Sequence, residues 1–453
     1  MKVAGQRGSL ADEGLIVPAC TGEIETRRSL DGLRMYLVRQ TWKQPAVQDI
    51  PKAVSQELVR TGALERVRPG DEIAMTAGSR GIASLPEILR AVIELVRERG
   101  GAPFIFPAMG SHGGGTAEGQ RALLAGLGID ERSMGVPIRS NMEVVRLGEA
   151  ANGMPVYLDA VAARAQGIIV VNRIKKHTNF DGIVESGLCK MAVIGMGKHA
   201  QAVVVHQCGN LGLREHILPI AEVVFSQARV LAGLGILEGA SGEVAELVGL
   251  RPDEIIAHEP ELLKRAKALA AKIPFHELDL ALVERMGKEI SGTGMDCYVI
   301  GRKRIIGEPE WPEAPRISSL VLLDLTEASH GNGLGVGLAD FITGRLASKI
   351  DWAITRANIL TSGNLERGKL PLVYDTDQEA LEAAAFRERA RPIEALRMVC
   401  LRDTLHLRYL LISEALIGEA SMGSRGKLKI IGGPMPLPFD AQGNWLSPFP
   451  PGD

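Results

Sequence analysis

From about residue 70 onward, short apolar runs alternate with glycine-rich loops and amphipathic segments. The run 72–76 has the apolar composition of a buried strand, and 85–99 carries apolar residues at helical spacing. Two further runs, 103–107 and 167–172, predict strands that are again followed by polar or glycine-rich loops. Strands that alternate with helices in this order are typical of doubly wound α/β domains, which have parallel sheets.

The pattern is interrupted near residue 250, where a charged helical stretch precedes a new apolar strand at 278–283. Another apolar run at 318–325 and the glycine-rich loop 326–341 then repeat the earlier order of elements. A chain of 453 residues also exceeds the size at which a single core stops growing, roughly 250 to 300 residues. We therefore predict the α/β fold class, with two α/β domains, mainly parallel sheets and an active-site cleft between the domains. The predicted units are an N-terminal catalytic domain of residues 1–275, a C-terminal α/β domain of residues 276–433 and a proline-rich extended tail of residues 434–453.

Composition and charge narrow the function. Hydrophobic residues make up 45% of the chain and charged residues 23%, which is the balance of a globular protein with sizeable cores. Lys and Arg number 52 against 54 for Asp and Glu, so no net field attracts nucleic acid or a membrane, and we expect a small-molecule partner. The five cysteines form no CxxC pair, which argues against a disulfide framework or a thiolate zinc site and suits the cytoplasm. No apolar run approaches about 18 residues, so neither a signal peptide nor a membrane span is expected.

Three polar side chains lie in the loops that directly follow predicted strands. Arg80 lies in the loop after the first strand, His112 in a glycine-rich loop after the second, and His177 in a polar run after the third. Open α/β sheets bind ligands beyond the carboxyl ends of their strands, so we expect these three side chains to face one crevice.

A lysine at position 190 is embedded among apolar neighbours in the stretch ESGLCKMAVIG. Burying an uncompensated ammonium is costly, so such a lysine pairs with an anion, loses its proton or is covalently modified. The alternative is a lysine whose side chain reaches water from a helix end. The residues alone leave these alternatives open.

The spacing of Lys190 and His206, sixteen residues apart, resembles that of the cofactor-anchoring lysine and nickel-ligating histidine of the nickel-pincer lactate racemase family. The segment AMGSHGGGTAEG around His112 resembles the glycine-histidine loop of that family. The segment KKHTNFDGIVESGLCK, which contains His177, resembles its second histidine segment. The resemblance is specific over residues 70–210.

A fourth motif, AGSRG, is similar to the Asp-Arg-Thr-Arg-Pro loop of the family at Ser79 and Arg80. It departs from that loop at Ala77 and Gly78, which stand where the family has Asp and Arg. This departure removes a polar contact to substrate or cofactor.

The resemblance implies an isomerase: a racemase or epimerase of a 2-hydroxy acid that works by reversible hydride transfer. The implied cofactor is the nickel-pincer nucleotide, a pyridinium-3-thioamide-5-thiocarboxylic acid mononucleotide attached covalently to Lys190, with His206 as the metal ligand. His112 and His177 would be the catalytic bases on opposite sides of the substrate, a role that suits imidazole because its pKa lies near neutrality. Nickel accepts imidazole readily, and a pincer with three donors needs only one protein ligand.

The remaining cofactor contacts are predicted around the phosphate. Gly113 and Gly114 would offer backbone N–H groups, and Arg80, beside Ser79, would add a charge-assisted hydrogen bond. Loading the cofactor would require the enzymes of its biosynthesis as partners.

The substrate is expected to differ from lactate. The family holds the carboxylate of lactate with a Tyr-Gln-x-x-Lys motif, and this sequence has ERMGKEISGTGMDCYVIGRKR in its place. We predict Lys288 as the carboxylate partner, with Ser291, Thr293 and Arg302 as other polar candidates, whereas an ordinary solvated loop is the alternative.

Competing interpretations stay open at this point. A relative of the same fold could bind a small anion or a nucleotide without catalysis. A conventional metal-dependent hydrolase is disfavoured because HExxH and dense Asp/His clusters are missing. His199 competes with His206 as metal ligand, His330 has no assigned role, and a homodimer is neither required nor excluded.

Overall fold

The structure, a computed structural model, describes residues 26–207, 209–422 and 427–451. Within these residues the strands form three sheets of eight, five and two strands. The strands are β1 Met35–Thr41, β2 Glu72–Ala77, β3 Ala102–Pro107, β4 Val144–Glu149, β5 Pro155–Asp159, β6 Gly167–Arg173, β7 Val230–Glu238, β8 Val244–Leu250, β9 Glu277–Met286, β10 Arg316–Leu325, β11 Phe341–Thr343, β12 Leu372–Tyr374, β13 Met398–Leu401, β14 Tyr409–Ser413 and β15 Lys427–Met435. The α-helices are α1 Ile50–Arg60, α2 Leu85–Glu98, α3 Ala117–Gly126, α4 Glu131–Met134, α5 Ala160–Arg164, α6 Leu188–Lys190, α7 Lys198–His206, α8 Gly209–Glu215, α9 Ile217–Gln227, α10 Pro252–Leu269, α11 Gly344–Lys349, α12 Trp352–Ser362, α13 Asp377–Arg387 and α14 Ile417–Met422.

The first sheet has the strand order β3-β2-β6-β7-β8. Its first four strands are parallel, and β8 is antiparallel to β7. Helices connect the parallel strands, as the alternating pattern predicted, so the α/β fold class is confirmed.

The strands of this first sheet are buried on both faces. Successive residues of a strand point to opposite faces, and here Ala74 and Ile168 belong to one apolar cluster while Met75 and Ile169 belong to the other. A strand covered by helices on both sides needs apolar residues at every position, which explains the uninterrupted apolar runs in the sequence.

The second sheet has the strand order β12-β11-β10-β9-β13-β14-β1-β15. The five strands from β12 to β13 are parallel, and the other three are antiparallel to their neighbours. Strand β1, near the start of the described chain, therefore pairs with β14 and β15 near its end. This pairing places the start of the described chain in the second sheet. The domain bounds at residues 275 and 433 stay a prediction.

The segment predicted as an extended tail packs in part on this second sheet. Phe449 is buried in the apolar cluster there, and Trp445 lies against the same cluster. The indole N–H of Trp445 also donates a hydrogen bond of 2.6 Å to Glu284 on β9.

The parallel strands of the first sheet end at one edge and so place the following loops together. Ala77 at the end of β2 is in register with Pro107 at the end of β3. Strand β6 runs parallel to β2 on its other side and ends at Arg173. Residues that follow these three strands must therefore lie at the same edge. Across the described part of the chain, no helix is both long and apolar enough to cross a membrane.

Hydrogen bonds from the second half of the chain hold the loop after β6. The buried guanidinium of Arg367 donates to the carbonyl of Thr178 (2.8 Å), to the side-chain oxygen of Asn179 (2.6 Å) and to the carbonyl of Lys303. The carboxylate of Asp181 accepts from the ammonium of Lys303 at 2.7 Å. One loop of the first half is thus fixed by charged groups of the second.

Replacement of this buried guanidinium tests the contact. We expect Arg367→Met to lower the free energy of unfolding by about 3 kcal/mol, because several buried acceptors lose their donor. The matched control is Arg356→Met on the exposed side of α12, for which we expect a change of at most about 0.5 kcal/mol. Urea denaturation measures the free energy of unfolding of both variants. Equal losses in the two variants would show that the buried contacts of Arg367 do not stabilise the fold.

Candidate active site

The loops after β2 and β3 meet through a hydrogen bond between Ser79 Oγ and His112 Nδ1. Desolvation by the surrounding protein, followed by the charge of Arg80, lowers the pKa of His112 to about 4. Arg80 and His112 nevertheless remain exposed to solvent. We call the region where these loops meet the cleft.

Lys190 and His206 also reach this cleft, although they are sixteen residues apart. A straight α-helix would separate them by about 24 Å. Instead the chain turns after the π-helical segment Met191–Gly195: Gly197 begins the turn, and Lys198 adopts a left-handed backbone with φ of 56°. Burial and then the charge of Lys190 lower the pKa of His206, so the turn brings both groups to the same region.

Glycine is required at this turn by close packing. A Cβ atom at Gly197 would lie 2.4 Å from the Cβ of Gln201 and 2.5 Å from the carbonyl oxygen of Val193. No larger residue fits there without moving the helix.

The charge of Lys190 acts on both predicted catalytic histidines. Burial lowers the pKa of His177 well below its usual value, and the charge of Lys190 is the next cause. The same charge contributes to the low pKa of His112, and His206 contributes to both. The structure thus brings together the four groups that the sequence singled out.

His177 is held in one orientation by its neighbours. The backbone N–H of Asn179 donates to His177 Nδ1 at 3.1 Å, and the ring lies 4.7 Å from the ring of Phe180. The buried carboxylate of Glu185 accepts from the backbone N–H of His177 and from the ammonium of Lys267, both at 2.6 Å. Because Nδ1 accepts a hydrogen bond, the neutral ring carries its proton on Nε2. In this neutral state, Nε2–H of His177 is available to donate a hydrogen bond.

The second half of the chain supplies Lys288 to the cleft. Burial, followed by the charge of Arg80, lowers the pKa of Lys288 to about 7. Its ammonium donates to the carbonyl of Gly292 at 2.8 Å and to the side chain of Asn358 at 2.7 Å. A Cβ atom at Gly292 would lie 3.4 Å from an Arg80 guanidinium nitrogen, so the loops of the two halves touch.

The other candidates near Lys288 already have partners. The guanidinium of Arg302 donates to Asp340 at 2.6 Å and to two carbonyl oxygens within the second half. The hydroxyls of Ser291 and Thr293 lie 3.2 Å apart, and Thr293 donates to the carbonyl of Met295. These bonds direct their donors away from a ligand.

The glycine-rich loop around His112 is held by a buried lysine. Lys198 donates to the carbonyl of Pro107 and to the side-chain oxygen of Gln120, both at 2.8 Å. Gln120 in turn donates to the carbonyls of Gly110 (2.9 Å) and His112 (3.2 Å). Lys198 therefore helps to hold the loop that carries His112.

Gly113 and Gly114 form a tight turn with φ of 64° and 68°. A Cβ atom at Gly113 would lie 2.6 Å from the backbone nitrogen of Gln120, so only glycine fits. The hydroxyl of Thr116 caps α3 by accepting from the N–H of Gly119. The contact of these glycines with a phosphate stays a prediction.

Two further histidines lie at the margin of this region. His199 is exposed, and its ring would lie 3.9 Å from a Cβ atom at Gly115. His330 is exposed with φ of 48°, next to Ser329, whose hydroxyl accepts from the backbone N–H of Lys288 at 2.9 Å. Neither has an assigned role.

Sequence reasoning missed Arg173 and Lys175, which line the cleft beside His177. The charge of Arg173, followed by burial, lowers the pKa of Lys175 to about 8. Arg173 itself donates to Glu238 at 2.5 Å. The signal was present, because residues 173, 175 and 177 alternate after a strand and so lie on one side of an extended chain.

The cleft is therefore rich in positive charge. Five cationic side chains lie within reach of one another's charge, and this repulsion contributes to the low pKa values of three lysines. The five are Arg80, Arg173, Lys175, Lys190 and Lys288. Such an arrangement is complementary to an anionic ligand. Among the residues that the structure describes, no cluster of three or more His, Cys, Asp or Glu side chains could hold a metal ion.

The low pKa of His112 predicts a pH-dependent stability. Unfolded histidine has a pKa near 6.5, so the unfolded chain binds more protons than the folded one between pH 6.5 and about 4. Stability is fully present above pH 6.5 and is lost as the pH falls towards 4. The urea denaturation midpoint of the wild type should fall as the pH is lowered from 6.5 to 4, and we expect this fall to be smaller in His112→Gln. The control His258→Gln, at an exposed site on α10, should show the same fall as the wild type. An unchanged loss in both variants would contradict the neutral state of His112.

Comparison with known proteins assigns no family. No protein-family model and no curated protein matches the chain. Among solved structures, the chain is similar to the lactate racemase apoprotein from Thermoanaerobacterium thermosaccharolyticum. The two share 12% identity with a TM-score of 0.49, and the match covers 81% of this chain and 94% of that one. Values this low assign neither a family nor an activity to this chain.

Proposed function

We propose that the protein is a racemase or epimerase of a 2-hydroxy acid other than lactate, which uses a nickel-pincer nucleotide bound by Lys190 and His206. One observation carries the proposal. Among the described residues, the ammonium of Lys190 has neither a hydrogen-bond acceptor nor an ion-pair partner, and its charge lowers the pKa of His112, His177 and His206. An unpartnered amine near three imidazoles suits covalent attachment better than a structural role.

The residues present fit such a cofactor. Burial, followed by the charge of Arg80, lowers the pKa of Lys190 to about 8, so part of this amine is neutral and nucleophilic near neutral pH. The lowered pKa of His206 keeps its imidazole neutral, with a lone pair for nickel. The cations of the cleft would hold the phosphate. When bound, the cofactor supplies the carbon that accepts and returns hydride.

The chain itself handles the proton and the carboxylate. His112, with a pKa of about 4, is neutral at physiological pH and would accept the hydroxyl proton of the substrate and later return it to the same oxygen. His177 would donate a hydrogen bond from its Nε2–H to that oxygen, because Asn179 occupies its Nδ1. Lys288 would bind the carboxylate, which restores the charge of an ammonium whose pKa is about 7.

This assignment makes the two histidines unequal. The sequence predicted two catalytic bases, whereas the hydrogen bond from Asn179 favours His177 as a hydrogen-bond donor. Such asymmetry is better suited to an epimerase than to a racemase, because the two faces of an epimerised centre already differ.

Intact mass and nickel content test the cofactor assignment, on protein produced together with the enzymes that make the cofactor. We expect wild type to carry the mass of the nucleotide and about one nickel per chain. Lys190→Ala should lose both, and His206→Ala should keep the added mass but lose most of the nickel. The matched controls are His199→Ala and Lys264→Ala, at an exposed histidine and an exposed lysine, which should keep both. An unmodified wild type, or loss of nickel in His199→Ala instead of His206→Ala, would contradict the assignment.

A second function, the binding of a nucleotide or small anion without catalysis, is supported by the positive charge of the cleft alone. Chiral chromatography of single enantiomers of 2-hydroxy acids separates the two. The loaded wild type should interconvert the configurations of at least one such acid. His112→Ala should slow this by about a hundredfold or more while keeping the nickel content, because general acid–base catalysis contributes roughly that factor. Loaded protein that leaves every enantiomer unchanged would instead favour the binding function.

The cellular setting is part of this proposal. We expect the enzyme to act in the cytoplasm, where the cofactor is loaded by its biosynthesis enzymes and the substrate is a free small molecule.

A further inference from the structure

The cleft contains more cations than the proposed ligands require. In the proposed function, Lys190 is attached to the cofactor, Arg80 binds its phosphate and Lys288 binds the carboxylate of the substrate. Arg173 is neutralised by Glu238, with a hydrogen bond of 2.5 Å. Lys175 is left without an anion.

The backbone directs Lys175 into the cleft. Lys175 forms an antiparallel bridge with Ser186, and both of their backbone hydrogen bonds are present, so the chain is extended there. In an extended chain, residues 173, 175 and 177 lie on the same side. The charges of Lys190 and Lys175 both lower the pKa of His177, so Lys175 lies near the same groups.

The ammonium of Lys175 has no hydrogen bond or ion pair among the described residues. Asp296 and Glu238 are near enough to influence it but form no ion pair with it, and Arg173 and Arg80 oppose it. The neighbouring Lys176 shows the contrast. Its ammonium lies 3.3 Å from Asp181 and over the rings of Tyr298 and Trp311, at 4.0 and 4.5 Å from their centroids.

We propose that Lys175 binds a second acidic group of the substrate, which is therefore a 2-hydroxy dicarboxylic acid. The inference rests on the proposed function for the position of the reacting carbon. Lys288 approaches from the second half of the chain and takes the carboxylate next to that carbon. Lys175 approaches from the wall of His177 and takes the other carboxylate. A monocarboxylate such as lactate would leave the ammonium of Lys175 unpaired, so we expect the site to prefer a dicarboxylate.

Isothermal titration of malate and lactate tests this assignment, on protein with and without the cofactor. We expect wild type to bind malate at least tenfold more tightly than lactate. Lys175→Gln should lose that preference while its affinity for lactate is unchanged. Lys176→Gln is the matched control, since it removes the same charge one residue away, where Asp181 and two aromatic rings hold it. It should keep the preference for malate.

Three outcomes overturn the inference: no preference for malate in wild type, the same preference in Lys175→Gln, or no binding of malate in either form. A fourth would assign Lys175 to the cofactor instead: weaker binding of nicotinic acid mononucleotide by Lys175→Gln with an unchanged preference for malate. Failure of the proposed function can be distinguished from failure of this inference. If Lys190 carries no adduct but malate is preferred through Lys175, the dicarboxylate site stands and the nickel-pincer assignment falls.

Discussion

The arrangement of the cleft depends on the buried ammonium of Lys198. This side chain has no exposed surface, and it is held by the carbonyl of Pro107, by Gln120 and by Asp159 at 3.5 Å. Burial lowers the pKa of Lys198 and raises that of Asp159, so each group offsets part of the desolvation cost of the other. The same bonds fix the turn that reverses the chain between Lys190 and His206. They also hold the loop of His112, because Gln120 donates to carbonyls of that loop. Lys198 and its partners therefore position both the His112 loop and the segment that joins Lys190 to His206.

The positive charge of the cleft is a second constraint, because it cannot be satisfied from within the protein. The nearby carboxylates already have partners: Glu238 binds Arg173, and Glu185 binds Lys267 and the backbone of His177. The remaining cations repel one another, which contributes to the lowered pKa values of the lysines. An anionic ligand would relieve this repulsion and raise those pKa values again. A ligand with several negative charges would therefore offset the repulsion among these cationic side chains.

The two halves of the chain contribute different functions to the same cleft. The first supplies the histidines and Lys190, at the carboxyl edge of its parallel strands. The second supplies Lys288 and also holds the loop of His177 through Arg367 and Lys303. Separation of the halves would therefore remove a proposed substrate contact and release the loop that orients His177.

The sequence by itself determined the elements of the first sheet and the positions of its loops. Strands β2, β3 and β6 could be predicted because burial on both faces demands uninterrupted apolar runs. The meeting of Arg80 and His112 followed from the geometry of parallel strands. Only the tertiary structure decided the pairing of β1 with β14 and β15, the reversal at Lys198, the proton position on His177, and the places of Lys175 and Arg367. These depend on contacts between residues far apart in the chain, and a local pattern of apolar and polar residues does not specify which distant backbone or charge will be the partner.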